Sequence, residues 1–192
     1  MKINEIFTSI QGEGVNTGIP TTFIRLQGCN VGCSWCDTKE SWNNNEGIEL
    51  SIDSIINKIE TKNVCITGGE PCLQDLTELT NKLDGYYLTL ETSGTSKITG
   101  DFDWITLSPK LNFKPPLKDS IFLADEIKFP VGKQSDLLVI KDFLLENKVK
   151  QGCIILLQPI SLSNKATQLC IDTCIENNWR LSIQAHKFIN VQ

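Results

Sequence analysis

Short apolar runs alternate with amphipathic stretches along nearly the whole chain. Residues 5–10, Glu5-Ile6-Phe7-Thr8-Ser9-Ile10, read as a strand that ends in the turn Gln11-Gly12-Glu13-Gly14, and residues 21–26 as a second, β-rich strand. Ile52, Ile55, Ile56 and Ile59 recur at i, i+3, i+4 and i+7, which predicts a helix with Ser51 as its N-cap. A buried strand over 63–67 leads into Gly68-Gly69-Glu70-Pro71. The helix expected after it carries Leu73, Leu76 and Leu83 on one face, with Pro71 in its first turn. Further strands are predicted at 86–90, 103–107, 126–129 and 153–157, with a closing strand at 180–183. Residues 135–146 form a helix presenting Leu137, Ile140 and Leu144 together. A last helix carries Ala166, Leu169, Cys170 and Cys174 on one stripe. Residues 112–120, with Pro115-Pro116, read as loop.

Strand followed by helix, without a linker or repeat, implies an α/β fold with a parallel sheet and helices outside it, in one domain over residues 1–192. A complete eight-fold barrel needs about 250 residues, so a barrel in this chain is partial. The unusual polar clusters fall just after predicted strands. In parallel α/β folds the carboxyl ends of the strands form the active face, so clusters far apart in sequence converge in space.

Composition narrows the function classes. The chain has 192 residues, 40% hydrophobic, and a net charge of −5 with no lysine or arginine tract, which argues against a nucleic-acid surface. Met1-Lys2-Ile3-Asn4-Glu5 opens no apolar signal core, and no apolar stretch is long enough to span a bilayer. A cytoplasmic protein with a small-molecule substrate is expected. Eight cysteines in such a chain point to metal binding and packing rather than to disulfides.

Three of those cysteines lie in one loop, Cys29-Asn30-Val31-Gly32-Cys33-Ser34-Trp35-Cys36, directly after the second strand. Four-iron clusters are normally held by four cysteines; three leave one iron open to a ligand that is not protein. The spacing C-x3-C-x2-C, with an aromatic before the last cysteine, resembles the signature of the radical S-adenosylmethionine (SAM) superfamily, in which SAM chelates the open iron. That resemblance makes the expected fold a partial, (β/α)6-like radical SAM barrel. A zinc module using the three thiols and the single His186 is the reading from another class, although zinc sites usually come as paired C-x2–4-C hooks. The other cysteines, Cys65, Cys72, Cys153, Cys170 and Cys174, fit as small hydrophobes in strands or on helix faces, with Cys72 alone near enough in order to be considered as a fourth ligand.

Gly68-Gly69-Glu70 suits close backbone contact with a zwitterion, with the carboxylate accepting from an ammonium group, and is similar to the superfamily motif that holds the SAM amino group. Trp35 either lies along the adenine or packs under the loop. Ser108-Pro109-Lys110 and Gln158-Pro159 offer polar tips over strand ends for ribose or carboxylate. Gln11 and Glu13 suit a polar heterocycle, and His186 is either a scaffold residue or a substrate contact.

The ordered set Glu5-Ile6-Phe7, Ile10 to Gly14, Phe23 to Asn30, Trp35 to Thr38, Thr67 to Pro71, Glu91 to Gly94, Ser108 to Lys110, Gln158-Pro159 and His186-Lys187 resembles one family, the 7-carboxy-7-deazaguanine synthases. The resemblance implies ring contraction of 6-carboxy-5,6,7,8-tetrahydropterin with loss of ammonia, in the biosynthesis of queuosine-type 7-deazapurines. In that scheme SAM is cleaved to a 5′-deoxyadenosyl radical that takes hydrogen from C6 of the pterin. It further implies a [4Fe-4S] cluster on Cys29, Cys33 and Cys36, and SAM contacts from Trp35, Cys36, Asp37, Gly68, Gly69, Glu70, Ser108, Pro109, Lys110, Gln158, Pro159, Ile160 and Ser161. The pterin would meet Ile10, Gln11, Gly12, Glu13, Arg25, Thr67, His186 and the carboxylate of Gln192, within a substrate-binding strand and turn over about residues 5–14. Thr38 would bind Mg2+, which usually keeps waters and borrows substrate ligands. An electron donor such as flavodoxin or ferredoxin and a homodimeric state follow from the same resemblance. The competing enzyme class is a radical SAM activating enzyme that installs a glycyl radical on a partner protein.

Overall fold

The computed structural model describes residues 1–160 and 163–191. The chain begins with β1 (Lys2–Ile10) and β2 (Pro20–Leu26), passes a 3-10 turn at Lys39–Ser41, and continues through β3 (Ile48–Glu49), α1 (Ile52–Ile56) and β4 (Asn63–Gly68). A second 3-10 turn at Pro71–Leu73 precedes α2 (Thr77–Lys82), β5 (Tyr87–Thr92) and β6 (Trp104–Leu107). Then come α3 (Lys118–Leu123), β7 (Glu126–Val131), α4 (Gln134–Glu146), β8 (Ile154–Pro159), α5 (Asn164–Asn177), β9 (Arg180–Leu181) and α6 (Ala185–Ile189).

One sheet takes the strands in the order β3-β1-β2-β4-β5-β6-β7-β8-β9. From β2 to β9 each neighbouring pair is parallel, whereas β1 runs antiparallel to both β2 and β3. The sheet stays open, with β3 at one edge and β9 at the other. Six parallel strands, β2 and β4 to β8, form the partial barrel expected from the sequence. The antiparallel β1 was legible as a strand but not in direction, and β3 falls in a stretch with no strand pattern.

Alternation along each parallel strand separates two faces. Ile24 and Leu26, Val64 and Ile66, and Leu88 and Leu90 point to one apolar cluster, which α1 and α2 cover with Ile55, Leu76, Leu79 and Leu83. Leu107, Ile127, Phe129 and Leu157 point to a second cluster, covered by Ile121 of α3, Leu137, Ile140 and Phe143 of α4, and Cys170 and Cys174 of α5. The opposite face carries Arg25, Thr67, Glu91, Lys128 and Gln158 into one cavity.

Several expectations change. The leucine-rich helix after Glu70 is broken: Asp75 accepts from the backbone N–H and hydroxyl of Thr77, and Thr99 from Leu76 N–H, so residues 74–76 are irregular and Leu73 is exposed. Such local side-chain bonds compete with helix. α1 closes at Ile56, leaving Ile59 in the following turn, and α3 begins inside the stretch read as loop. On α4 the third buried position is Phe143, while Leu144 is only half buried. No helix bridges β5 and β6. The closing strand shrinks to two residues, and His186 lies on α6, a helix beyond the one read as last.

Candidate active site

The cysteine loop is held at the carboxyl ends of β2 and β4 by backbone contacts that only glycine permits. Gly28 adopts a φ of +106° and donates its N–H to Ser41 O at 2.7 Å, while Cys29 N–H donates to Trp42 O at 3.2 Å. A Cβ on Gly69 would stand 2.5 Å from Gly28 O and 2.7 Å from Cys29 Cβ, and Glu70 N–H closes the join by donating to Gly28 O at 2.8 Å. Substitution at either glycine therefore moves the thiols.

Cys29, Cys33 and Cys36 all line a cavity of about 400 Å3 over the strand ends. Burial pushes the Cys33 thiol up, the Lys110 ammonium pulls it down, and the neighbouring Cys36 and Cys29 push it up further, so the three sulfurs share one electrostatic environment. Cys36 Sγ accepts from Thr38 N–H and from the Trp42 indole N–H, each at 3.4 Å. Hydrogen bonds to a ligating sulfur fix its orientation. The donor set therefore fits an iron–sulfur cluster with one iron free. Cys72 is not a fourth ligand: it is buried in the apolar cluster, and burial followed by the nearby Glu70 pushes its thiol up to about 12. His186 and the thiols do not make a zinc set, because among the described residues no three His, Cys, Asp or Glu side chains stand close enough to hold one metal ion.

Around the cysteines the cavity collects the SAM candidates Trp35, Asp37, Gly68 and Gly69 on one side, with Ser108, Lys110, Gln158, Pro159 and Ile160 on another. Trp35 stands at the mouth, 36% exposed, with Lys110 Nζ 5.4 Å from its ring centroid and Phe113 edge-on at 6.2 Å; packing beneath the loop is excluded. Lys110 donates to Ser108 Oγ, and burial together with the Lys128 charge lowers its pKa. Glu70 departs from expectation. It is 1% exposed and does not line the cavity. Its Oε1 accepts from Cys72 N–H and Thr92 Oγ1, and its Oε2 from Ser93 N–H and Oγ. The carboxylate thus ties the end of β5 to the loop after β4, with both oxygens bonded within the protein. Pro109 is likewise buried outside the lining, and Ser161 and Gln192 fall outside the described residues.

The pterin candidates Ile10, Gln11, Gly12, Glu13, Arg25, Thr67 and His186 all reach the same cavity, as does Thr38, the Mg2+ candidate. Arg25 is braced by Glu5, with Nε to Oε1 at 2.8 Å, and by the ring of Phe7, which stacks on Phe23 at 4.9 Å. The α6 segment closes over the turn through Ala185 N–H to Gly12 O at 2.8 Å, and Lys187 reaches Asp37 at 3.3 Å. Lining residues to which the sequence reading gave no role include Glu91 and Lys187, although both stand in its motifs, and Lys128 and Gln184. Glu91 and Lys128 had a signal: each is a charge inside an apolar strand run, which is stable only when paired.

The chain's similarities agree with this geometry. A family model described as the radical SAM superfamily matches residues 23–104. A 7-carboxy-7-deazaguanine synthase of Buchnera aphidicola subsp. Schizaphis graminum is 45% identical over 99% of this chain and 98% of its own length. That of Escherichia coli strain K12 is 42% identical over 98% of each chain. The crystal structure of QueE from Escherichia coli superposes with a TM-score of 0.89 at 40% identity, covering 96% of this chain and 94% of that one. The chain belongs to the 7-carboxy-7-deazaguanine synthase family of radical SAM enzymes.

Proposed function

We propose that the chain converts 6-carboxy-5,6,7,8-tetrahydropterin to 7-carboxy-7-deazaguanine with loss of ammonia, and that Cys29, Cys33 and Cys36 carry a [4Fe-4S] cluster to which SAM binds. The observation that carries the reading is the convergence of the cysteine loop with two sets of polar strand-end residues in one cavity, one set beside the thiols and one beneath the turn after β1. When bound, the cluster and SAM supply hydrogen-atom abstraction; the protein's share is placement.

Gly68 and Gly69 bring backbone groups close to SAM at the thiol side, and Trp35 offers a ring face at the mouth. Lys110, half-buried and donating to Ser108 Oγ, suits an anionic ligand group. Arg25, held flat by Glu5 and Phe7, suits the substrate carboxylate, while Gln11, Glu13 and Thr67 offer donors and acceptors to the pterin ring. Thr38 Oγ1, next to Cys36 on the lining, suits Mg2+ that shares its remaining ligands with water and substrate. The α6 segment covers the turn and limits water entry. The reading includes a cytoplasmic homodimer served by a small electron carrier such as flavodoxin or ferredoxin. A glycyl-radical activating enzyme is not favoured, since the relatives at 42–45% identity are named as synthases of a small molecule.

The decisive experiment is anaerobic incubation of cluster-loaded protein with SAM, reductant, Mg2+ and 6-carboxytetrahydropterin. Formation of 7-carboxy-7-deazaguanine is expected, with none from a Cys33→Ala variant. Intact cluster and bound SAM with no deazaguanine product would overturn the assignment.

A further inference from the structure

A lysine in a buried strand persists only where its charge is met. Lys128 lies within β7 between the fully buried Ile127 and Phe129, and its side chain is 3% exposed. Its ammonium grips two carboxylates from distant parts of the chain: Glu13, in the turn after β1, and Glu91 of β5, whose Oε2 is 3.4 Å away. Each carboxylate is also held by an amide. Gln184 Nε2 donates to Glu13 Oε1 at 2.7 Å, and Gln11 Nε2 donates to Glu91 Oε1 at 3.0 Å. Glu13 N–H donates back to Gln11 Oε1 at 3.1 Å, which closes the ring of contacts.

All five residues line the cavity. Burial opposes charge on Glu13, but the adjacent Lys128, aided by hydrogen bonds from Gln184 and Gln158, outweighs it and holds the carboxyl well below the usual carboxylate range. The ring itself holds one cation and two carboxylates, with the Lys110 ammonium and the Glu126 carboxylate near enough to act on it. A carboxylate carries about four acceptor sites on its two oxygens, so fixing these two groups leaves acceptor capacity facing inward. A ligand edge rich in N–H donors satisfies that capacity.

We infer that Lys128 is a positioning residue for the substrate: by clamping Glu13 and Glu91 together it presents two anionic acceptors of fixed orientation against which the N–H edge of the pterin docks. The inference rests on the pterin reading above. Lys128 acts through its two partners and does not itself contact the ligand. The thiols, Gly68, Gly69 and Trp35 lie outside the ring of contacts, and the SAM side meets it only through Gln158, which bonds Glu13, and Lys110, which feels the Lys128 charge, so SAM binding depends on it less than pterin binding does.

The test is equilibrium binding of 6-carboxytetrahydropterin and, separately, of SAM to anaerobic, cluster-loaded protein without reductant. It compares wild type, Lys128→Met and the charge-balanced Glu91→Gln/Lys128→Met variant, which keeps the net charge of the cluster. Both variants are expected to lose at least about tenfold in pterin affinity, as when one partner of a buried charge pair is removed, while SAM affinity stays within about twofold of wild type. Pterin affinity retained in either variant, or SAM affinity falling by the same factor, overturns the role. Should Lys128→Met alone fail to fold, the double variant carries the comparison. Wild-type protein that binds SAM but no pterin refutes the substrate reading itself, an outcome distinct from retained binding in the variants.

Discussion

Gly12 shows how much of the site turns on single atoms. Its missing side chain admits the His186 ring, and its carbonyl receives Ala185 N–H at 2.8 Å. Gly12→Ala is expected to drive α6 off the turn and raise the KM for the pterin by about tenfold, a loss near 1.4 kcal/mol, while the SAM-dependent spectrum of the cluster stays unchanged. The Glu13–Lys128 pair sets a pH window. Glu13 is depressed below its ordinary 4.5, so its stabilisation is present above that value and lost as pH falls beneath it. Lys128 is raised above its ordinary 10.5, so its stabilisation holds below that value and is lost only as pH climbs past it. Between the two limits the pair contributes fully. Thermal melting should therefore decline on acidification from 4.5, and Glu13→Gln should flatten that decline. Residue types and their order were enough to name the three thiols and most of the cavity lining. They were not enough for Glu70, because the groups that consume its oxygens, Thr92 and Ser93, sit on the next strand and are visible only once β4 and β5 are paired.

Elements followed from periodicity where one face is buried and local bonds agree with it. Ser51 caps α1 by accepting Ser54 N–H at 3.2 Å, as its sequence position implied. Where local chemistry opposes the periodicity, the pattern misleads: Leu73 and Leu76 share a helical face on paper, yet Thr99 captures the Leu76 N–H and Asp75 that of Thr77. At the start of α4, Asp136 Oδ2 accepts from Gly132 N–H at 2.9 Å and Lys133 N–H at 3.1 Å. Asp136→Ala should cost about 1 kcal/mol in denaturant unfolding. On β7 the face turned from the cavity is pure packing, with Phe129 fully buried against Phe143. Phe129→Ala should cost about 3–5 kcal/mol, measurable as a lower urea midpoint with the slope unchanged.

At the scale of the whole molecule, one sheet positions every part of the site. Parallel pairing from β2 to β9 brings the loops after successive strands to one end, so thiols, glycines and acceptors that lie far apart in sequence share one cavity. The segment after β9 is different in kind: none of the α6 side chains is buried, and it bears on the site rather than on the core. Removing residues from 185 onward is expected to leave iron content and melting temperature near wild type while weakening pterin binding by about tenfold. A large fall in melting temperature would show instead that this segment supports the fold.

Sequence by itself determined the α/β class and the partial barrel and put three thiols into one loop, because hydrophobic period and residue spacing are local properties. Tertiary structure alone decided the antiparallel β1, the burial of Glu70 and the joining of Glu13, Glu91 and Lys128. Each of these depends on which strands become neighbours, and that choice is made by the packing of the whole sheet rather than by any one stretch of chain.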